Sequence, residues 1–148
     1  LIMDYITKNS DETRIIGKNL STELKGGDIV LLHGDLGTGK TTLTKGIAEG
    51  FGIDPNDVVS PTFTLMQEYE IKKFESSKVR KLVHIDTYRL ENEEQLIEIG
   101  VEDYLGEKNT ICLIEWPEKI DGLLKDKKII NITIEHSGEN GRNIKIEK

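Results

Sequence analysis

A single cysteine, Cys112, leaves this chain no intrachain disulfide and no thiolate metal centre, so its stability has to come from a packed core. The residue sits inside the apolar run 111–114, where a small buried side chain is the simplest reading, and the lack of a second cysteine points to a reducing compartment. No apolar run approaches the ~20 residues that a membrane span needs. Asp4, Lys8, Asp11 and Glu12 interrupt the first residues before a signal-like apolar stretch can build up, so a cytoplasmic protein is expected. Basic charge is scarce too. Twenty Lys and Arg against 27 Asp and Glu give a net charge of −7, which disfavours broad direct binding to nucleic acid, where release of counterions by a basic surface drives affinity. One basic stretch stands out: Lys72, Lys73, Lys78, Arg80 and Lys81 gather between two expected strands and can face RNA, an acidic partner or only solvent. Repeats, low-complexity tracts and linkers are missing, and 148 residues suffice to bury about two-thirds of the unfolded surface, so one domain over 1–148 is expected.

Glycine, by contrast, is plentiful where it matters. Gly34-Asp35-Leu36-Gly37-Thr38-Gly39-Lys40-Thr41 is a complete G-x-x-x-x-G-K-[ST] pattern directly behind the apolar Ile29-Val30-Leu31-Leu32. Without a Cβ at Gly34, Gly37 and Gly39, the main chain can turn sharply and aim successive N–H groups at anionic oxygens. Lys40 would reach the terminal phosphates of a nucleotide, Thr41 would hold Mg2+, and the helix starting near Lys40 would add the positive end of its dipole. The expected nucleotide contacts are therefore Asp35, Leu36, Gly37, Thr38, Gly39, Lys40, Thr41 and Thr42.

The surrounding pattern is that of an α/β protein. A strand is expected over 3–7, then a helix capped by Ser10 with Ile16, Leu20 and Leu24 on one face and Gly26-Gly27 at its end. A strand over 28–33, the glycine loop and a helix over 40–49 follow. A strand is expected over 65–70. The runs 81–85 and 110–114 do not alternate, as befits strands covered on both faces in a parallel sheet, and a polar helix with Glu93, Glu94 and Glu98 exposed lies between them. Near the end, Ile130, Ile132 and Ile134 alternate with polar residues, and a turn with Asn140-Gly141 leads to Ile144 and Ile146, an antiparallel hairpin. The expected architecture is a P-loop NTPase three-layer fold, with a central, mostly parallel sheet, helices on both faces and a C-terminal hairpin.

A nucleotide-hydrolysing site also needs acids near the cradle, ideally at the C-terminal ends of neighbouring strands. Asp86 closes Leu82-Val83-His84-Ile85 and Glu115 closes Ile111-Cys112-Leu113-Ile114. Either can ligate Mg2+ while the other polarises water. Between cradle and acids, Ser60-Pro61-Thr62-Phe63-Thr64 presents hydroxyls on a segment stiffened by Pro61, suited to order around a terminal phosphate as switch loops do. Arg89 can neutralise transition-state charge or pair with Glu91 or Glu93. The base is adenine by elimination: Asp86-Thr87-Tyr88-Arg89 lacks the glycine of a guanine-type second motif, and Glu118-Lys119-Ile120-Asp121 carries a carboxylate where the base-reading loop needs an amide or hydroxyl.

His33 through Thr42, Ser60-Pro61-Thr62-Phe63, His84-Ile85-Asp86-Thr87-Tyr88-Arg89-Leu90 and Ile114-Glu115-Trp116-Pro117, in this order and in a chain this short, resemble the bacterial TsaE (YjeE) family. That resemblance implies a small ATPase required for making threonylcarbamoyladenosine in tRNA. It implies ATP and Mg2+ as cofactors, and action beside TsaB and TsaD, with tRNA met only indirectly through that complex. Carried over by position, Lys40 and the loop glycines hold phosphates, Thr41 and Glu115 meet the metal, Asp86 supports it, Thr62 belongs to the switch-like segment and Trp116 falls in the functional patch. Lys40, Asp86 and Glu115 are the expected catalytic residues. A small-molecule kinase and a nucleotide-gated binding module with negligible turnover stay open. Against the kinase, the four arginines, Arg14, Arg80, Arg89 and Arg142, are too dispersed along the chain to suggest a clamp over a transferred phosphoryl group.

Overall fold

A computed structural model describes residues 1–71 and 79–148. Three of the five residues in the basic stretch, Lys72, Lys73 and Lys78, lie outside the described residues; of the others, Lys81 bonds Glu68 at 3.1 Å. The elements in chain order are β1 (Ile2–Thr7), α1 (Ser10–Ser21), β2 (Ile29–His33), α2 (Lys40–Gly50), β3 (Met66–Glu70), β4 (Lys81–Asp86), α3 (Glu94–Glu98), β5 (Thr110–Glu115), β6 (Ile129–Ser137) and β7 (Gly141–Glu147). Short 3-10 segments span Pro55–Asp57, Val101–Asp103 and Pro117–Leu124.

All seven strands form one sheet in the order β1-β7-β6-β2-β5-β4-β3. Its centre, β4-β5-β2-β6, is parallel, and the unbroken apolar runs of β2, β4 and β5 follow from burial on both faces. The β6–β7 hairpin forms as its alternation requires, pairing Ile132 with Ile146 and Ile134 with Ile144; Gly141, opposite Ser137, opens β7. β1 then adds to the hairpin as an antiparallel edge, a placement that no local pattern specifies.

Two apolar layers sandwich the sheet. On one side Val30, Leu32, Leu82, Ile111 and Leu113 meet Leu20 of α1 and Leu43 and Ile47 of α2. On the other, Val83, Ile85, Cys112 and Ile114 meet Leu96 of α3, with Val101, Ile120 and Leu124 from the 3-10 segments. The second face is thus covered by short turns rather than long helices. Glu94 and Glu98 are exposed as expected, whereas Glu93 precedes α3 and is half-buried. Among the described residues no helix is long and apolar enough to cross a membrane.

The first helix differs from expectation at both ends. Its N-cap is Asn9, not Ser10: Asn9 is extended and its Oδ1 accepts the Glu12 N–H at 2.9 Å, while Glu12 Oε1 accepts the Lys8 N–H at 2.8 Å. A carboxylate three residues beyond Asn9 favours that frame. The helix stops at Ser21, well before Gly26-Gly27, and Leu24 is buried outside it. There the Ser21 and Thr22 hydroxyls donate to the Lys18 and Asn19 carbonyls, competing with further helical turns.

Candidate functional site

The cradle begins where β2 runs out. Gly39 adopts φ 107° and ψ 19°, a left-handed conformation that a Cβ would strain, and α2 starts at Lys40 with no side chain capping it. Its first-turn N–H groups are therefore available to an anion. Inside the loop the Thr38 hydroxyl donates to the Asp35 carbonyl at 2.8 Å, which ties the turn together. The buried Lys40 ammonium donates to the Gly34 carbonyl at 2.6 Å and lies 3.8 Å over the Trp116 ring. Burial lowers its pKa below the ordinary lysine value, and the nearby carboxylates of Glu115 and Asp86, with Glu118 and Asp35, pull in the opposite direction.

The two acids arrive by strand geometry. β4 and β5 are parallel neighbours in a register that sets Asp86 beside Glu115. Side chains alternate along a strand, and Leu82, Ile111 and Leu113 face α2, so Asp86 and Glu115 project to that same side. Both are buried, and each is held differently. Asp86 Oδ2 accepts from the Ser60 hydroxyl at 3.1 Å and the Thr62 hydroxyl at 3.2 Å, and Oδ1 accepts the Tyr88 N–H at 2.9 Å. Glu115 Oε2 lies 2.6 Å from Nε2 of the fully buried His84. The Thr87 hydroxyl donates to the main-chain carbonyls of Glu115 and Trp116, fixing the strand end. Trp116 then turns into the left-handed region at φ 58° and ψ 51°, at a cost of about 1–2 kcal/mol for a non-glycine residue. That turn presents its ring to Lys40 and Tyr88.

A cavity of about 520 Å³ collects these groups: Leu36, Gly37, Gly39, Lys40, Thr41 and Thr42 from the cradle, Thr62 from the switch-like segment, and Asp86, Glu115 and Trp116 opposite. Asp35 and Thr38 do not line it; they shape the loop from behind. Arg89 also lines the cavity, with its guanidinium 4.5 Å from the Phe63 ring, and among the described residues it forms no ion pair with Glu91 or Glu93. Arg142 reaches the same space, so two of the four arginines, far apart in sequence, meet at the cavity, whereas Arg14 pairs with Asp11 and Glu49. A second cavity of about 240 Å³ adjoins the cradle at Gly39, Thr42 and Arg142 and is bounded by Lys8, Asn9, Ser10, Thr13 and Asn140.

Sequence reasoning missed two residues here. His84 carried a usable signal, since it sits two positions before Asp86 and must share its face. Arg142 carried none, being 104 residues from the loop carbonyl it bonds.

The donor set fits a hard cation. The Thr41 hydroxyl at the start of α2 and the two carboxylates, Asp86 and Glu115, border the cavity, and among the described residues no three His, Cys, Asp or Glu side chains cluster as a protein-only metal cage. Magnesium is ordinarily held in this way, by one or two protein oxygens completed by water and phosphate.

A glycine-turned loop between a buried strand and an uncapped helix, with acids at the ends of two adjacent parallel strands, defines a P-loop protein of the α/β class. The family model for the threonylcarbamoyl adenosine biosynthesis protein TsaE matches residues 7–144. The chain is 40% identical over 142 residues to the tRNA threonylcarbamoyladenosine biosynthesis protein TsaE of Bacillus subtilis, covering 96% of this chain and 83% of that protein. It is 42% identical over 118 residues to the protein of the same name from Haemophilus influenzae, covering 80% and 68%. Among solved structures, a crystal structure of Bacillus subtilis YdiB superposes with a TM-score of 0.77 at 34% identity, over 99% of this chain and 84% of that one. The chain belongs to the TsaE family.

Proposed function

We propose that this chain binds ATP with Mg2+ and hydrolyses it in the cytoplasm, in support of tRNA threonylcarbamoyladenosine formation and as an accessory to TsaB and TsaD. The observation that carries the reading is the convergence of Lys40, Thr41, Asp86 and Glu115 on one cavity at the open N-terminus of α2. Loop N–H groups and Lys40 would bind the phosphates. Thr41 and Glu115 would hold the metal, with Asp86 behind it. The ion supplies charge neutralisation on the phosphate oxygens. Asp86 already tethers Ser60 and Thr62, so a change at this carboxylate passes directly to the 60–64 segment. The adjoining cavity beside Thr42 is of a size and polarity to take the nucleoside end, with adenine favoured by the absence of guanine-reading motifs.

Partner dependence has its own support. Leu36, Val59, Phe63 and Tyr88 are exposed on or beside the segments that border the cavity, an apolar rim suited to a protein that closes over it. Charge supplied by such a partner can be worth ~10³ to 10⁵ in rate, so turnover by the isolated chain is expected to be slow. The acidic surface suits indirect rather than direct dealings with tRNA.

The test is reconstitution of threonylcarbamoyladenosine formation with TsaB and TsaD, with and without this chain, in ATP or a non-hydrolysable analogue. Product that depends on the chain and on hydrolysable ATP is the expected result. Phosphate release only in the presence of a hydroxyl acceptor would favour a kinase instead, and nucleotide binding without release under any condition would favour a gated binding module.

A further inference from the structure

The phosphate loop is gripped from outside by the C-terminal hairpin. Arg142, at the start of β7, donates from Nε to the Thr38 carbonyl at 2.5 Å and from Nη2 to the Gly37 carbonyl at 3.5 Å. Its Nη1 donates to the carbonyls of Gly141 at 2.7 Å and Glu139 at 3.5 Å. One guanidinium therefore ties the turn of its own hairpin to two consecutive peptide units of the cradle. The anchor is rigid, because Arg142 pairs with Thr7 on one side and His136 on the other, and β6 is hydrogen-bonded to β2, the strand that delivers the loop.

We infer that Arg142 is a positioning residue for phosphate binding, holding the outward carbonyl of Thr38 so that the Gly39 N–H of the same peptide faces an anion, and steadying through the Gly37 carbonyl the turn that the Thr38 N–H closes on the Asp35 carbonyl. The reason lies in the peptide itself. In a trans unit C=O and N–H point in opposite directions. Fixing the Thr38 carbonyl on Arg142 therefore turns the Gly39 N–H away from the guanidinium, while the preceding peptide, held at the Gly37 carbonyl, spends its Thr38 N–H on the Asp35 carbonyl at 3.3 Å. A glycine-rich loop has the most main-chain freedom to lose on binding, so orienting it beforehand removes a cost that the ligand would otherwise meet. The planar fork is needed for this. Lysine offers a point charge that cannot span two carbonyls and the hairpin turn together.

This role rests on the nucleotide reading above, and the measurements separate the two. Calorimetric affinities for ADP, inorganic tripolyphosphate and adenosine are compared among the wild type, Lys40→Ala, Arg142→Lys and Arg142→Gln, with thermal unfolding of each. Arg142→Gln is expected to weaken ADP and tripolyphosphate by about tenfold, the scale of one charge-assisted hydrogen bond. Adenosine affinity should be unchanged, and Arg142→Lys should recover only part of the loss. Unchanged phosphate affinities in both Arg142 variants, with or without a lowered Tm, would overturn the positioning role while leaving the nucleotide site intact. Parallel losses for adenosine and ADP would also overturn it, placing Arg142 against the nucleoside instead. Full recovery in Arg142→Lys would reduce its part to charge alone and reject the fork. Failure of the wild type to bind ADP or tripolyphosphate would overturn the nucleotide reading and this role with it.

Discussion

Replacing Gly46 by alanine should destabilise the protein, against the helix propensity of the two residues. Gly46 lies in the second turn of α2, where alanine ordinarily gains about 1 kcal/mol over glycine. Here α1 crosses so closely that a Cβ at Gly46 would sit 2.1 Å from the Arg14 carbonyl oxygen and 2.9 Å from its carbon. Gly17 answers from the other helix, where a Cβ would fall 2.5 Å from the Leu43 carbonyl oxygen. Carbon–oxygen contacts relax to about 3.3–3.6 Å, so the helices must part by roughly 1 Å. The obstacle is main chain, which no rotamer can move aside. Separation loosens the layer around Leu43 and Ile47, both fully buried, and overpacking of this kind costs about 1–3 kcal/mol. With the propensity gain subtracted, a net loss of up to about 2 kcal/mol remains, or a Tm lower by up to about 8 °C for a domain of this length. Urea unfolding at 25 °C should show a reduced midpoint with an unchanged slope. Lys45→Ala, on the same helix, should stay within about 0.5 kcal/mol of wild type. Because α2 begins with Lys40 and Thr41, the same variant should also bind nucleotide more weakly. A midpoint that rises in Gly46→Ala would show that the helices do not touch here, and the reasoning about how α1 seats the cradle would fail.

Three further outcomes follow from the site. Asp86→Asn retains an acceptor for the Tyr88 N–H and a polar partner for Ser60 and Thr62, so its Tm should fall only slightly while the Mg2+ requirement for nucleotide binding rises several-fold; an unchanged Mg2+ titration would remove Asp86 from the metal's surroundings. His84→Leu leaves the Glu115 carboxylate buried without its partner and should cost about 3 kcal/mol in denaturant unfolding, whereas His84→Gln, which can still donate, should cost less; equal losses would mean that packing rather than the hydrogen bond matters. Burial pushes the Cys112 thiol up to about 12, so between the ordinary thiol value and pH 12 the unfolded chain sheds a proton that the folded chain keeps. That difference makes stability fall as pH rises, by at most about 1.4 kcal/mol per unit. Unfolding curves of wild type and Cys112→Val should accordingly converge or cross above pH 9, and a pH-independent gap between them would contradict the burial.

What the sequence determined by itself was everything carried by neighbours along the chain. The glycine loop behind β2, the unalternating runs of β2, β4 and β5, the alternating β6–β7 hairpin and the acids closing two strands are local patterns, because phosphate cradling, burial on two faces and strand pleating each leave a signature within ten residues or so. The ends of α1 were misplaced, since Asn9 and Ser10 are both good caps and only the carboxylate of Glu12 and the hydroxyls of Ser21 and Thr22 settle which frame forms. Tertiary structure alone decided the rest. It laid β1 along the hairpin, put Asp86 beside Glu115 through the parallel register, buried His84 against that glutamate and brought Arg142 back across the sheet to the loop it grips. Those contacts join residues separated by tens of positions, and their energy depends on strand order and crossing angle, which no short window of residues encodes.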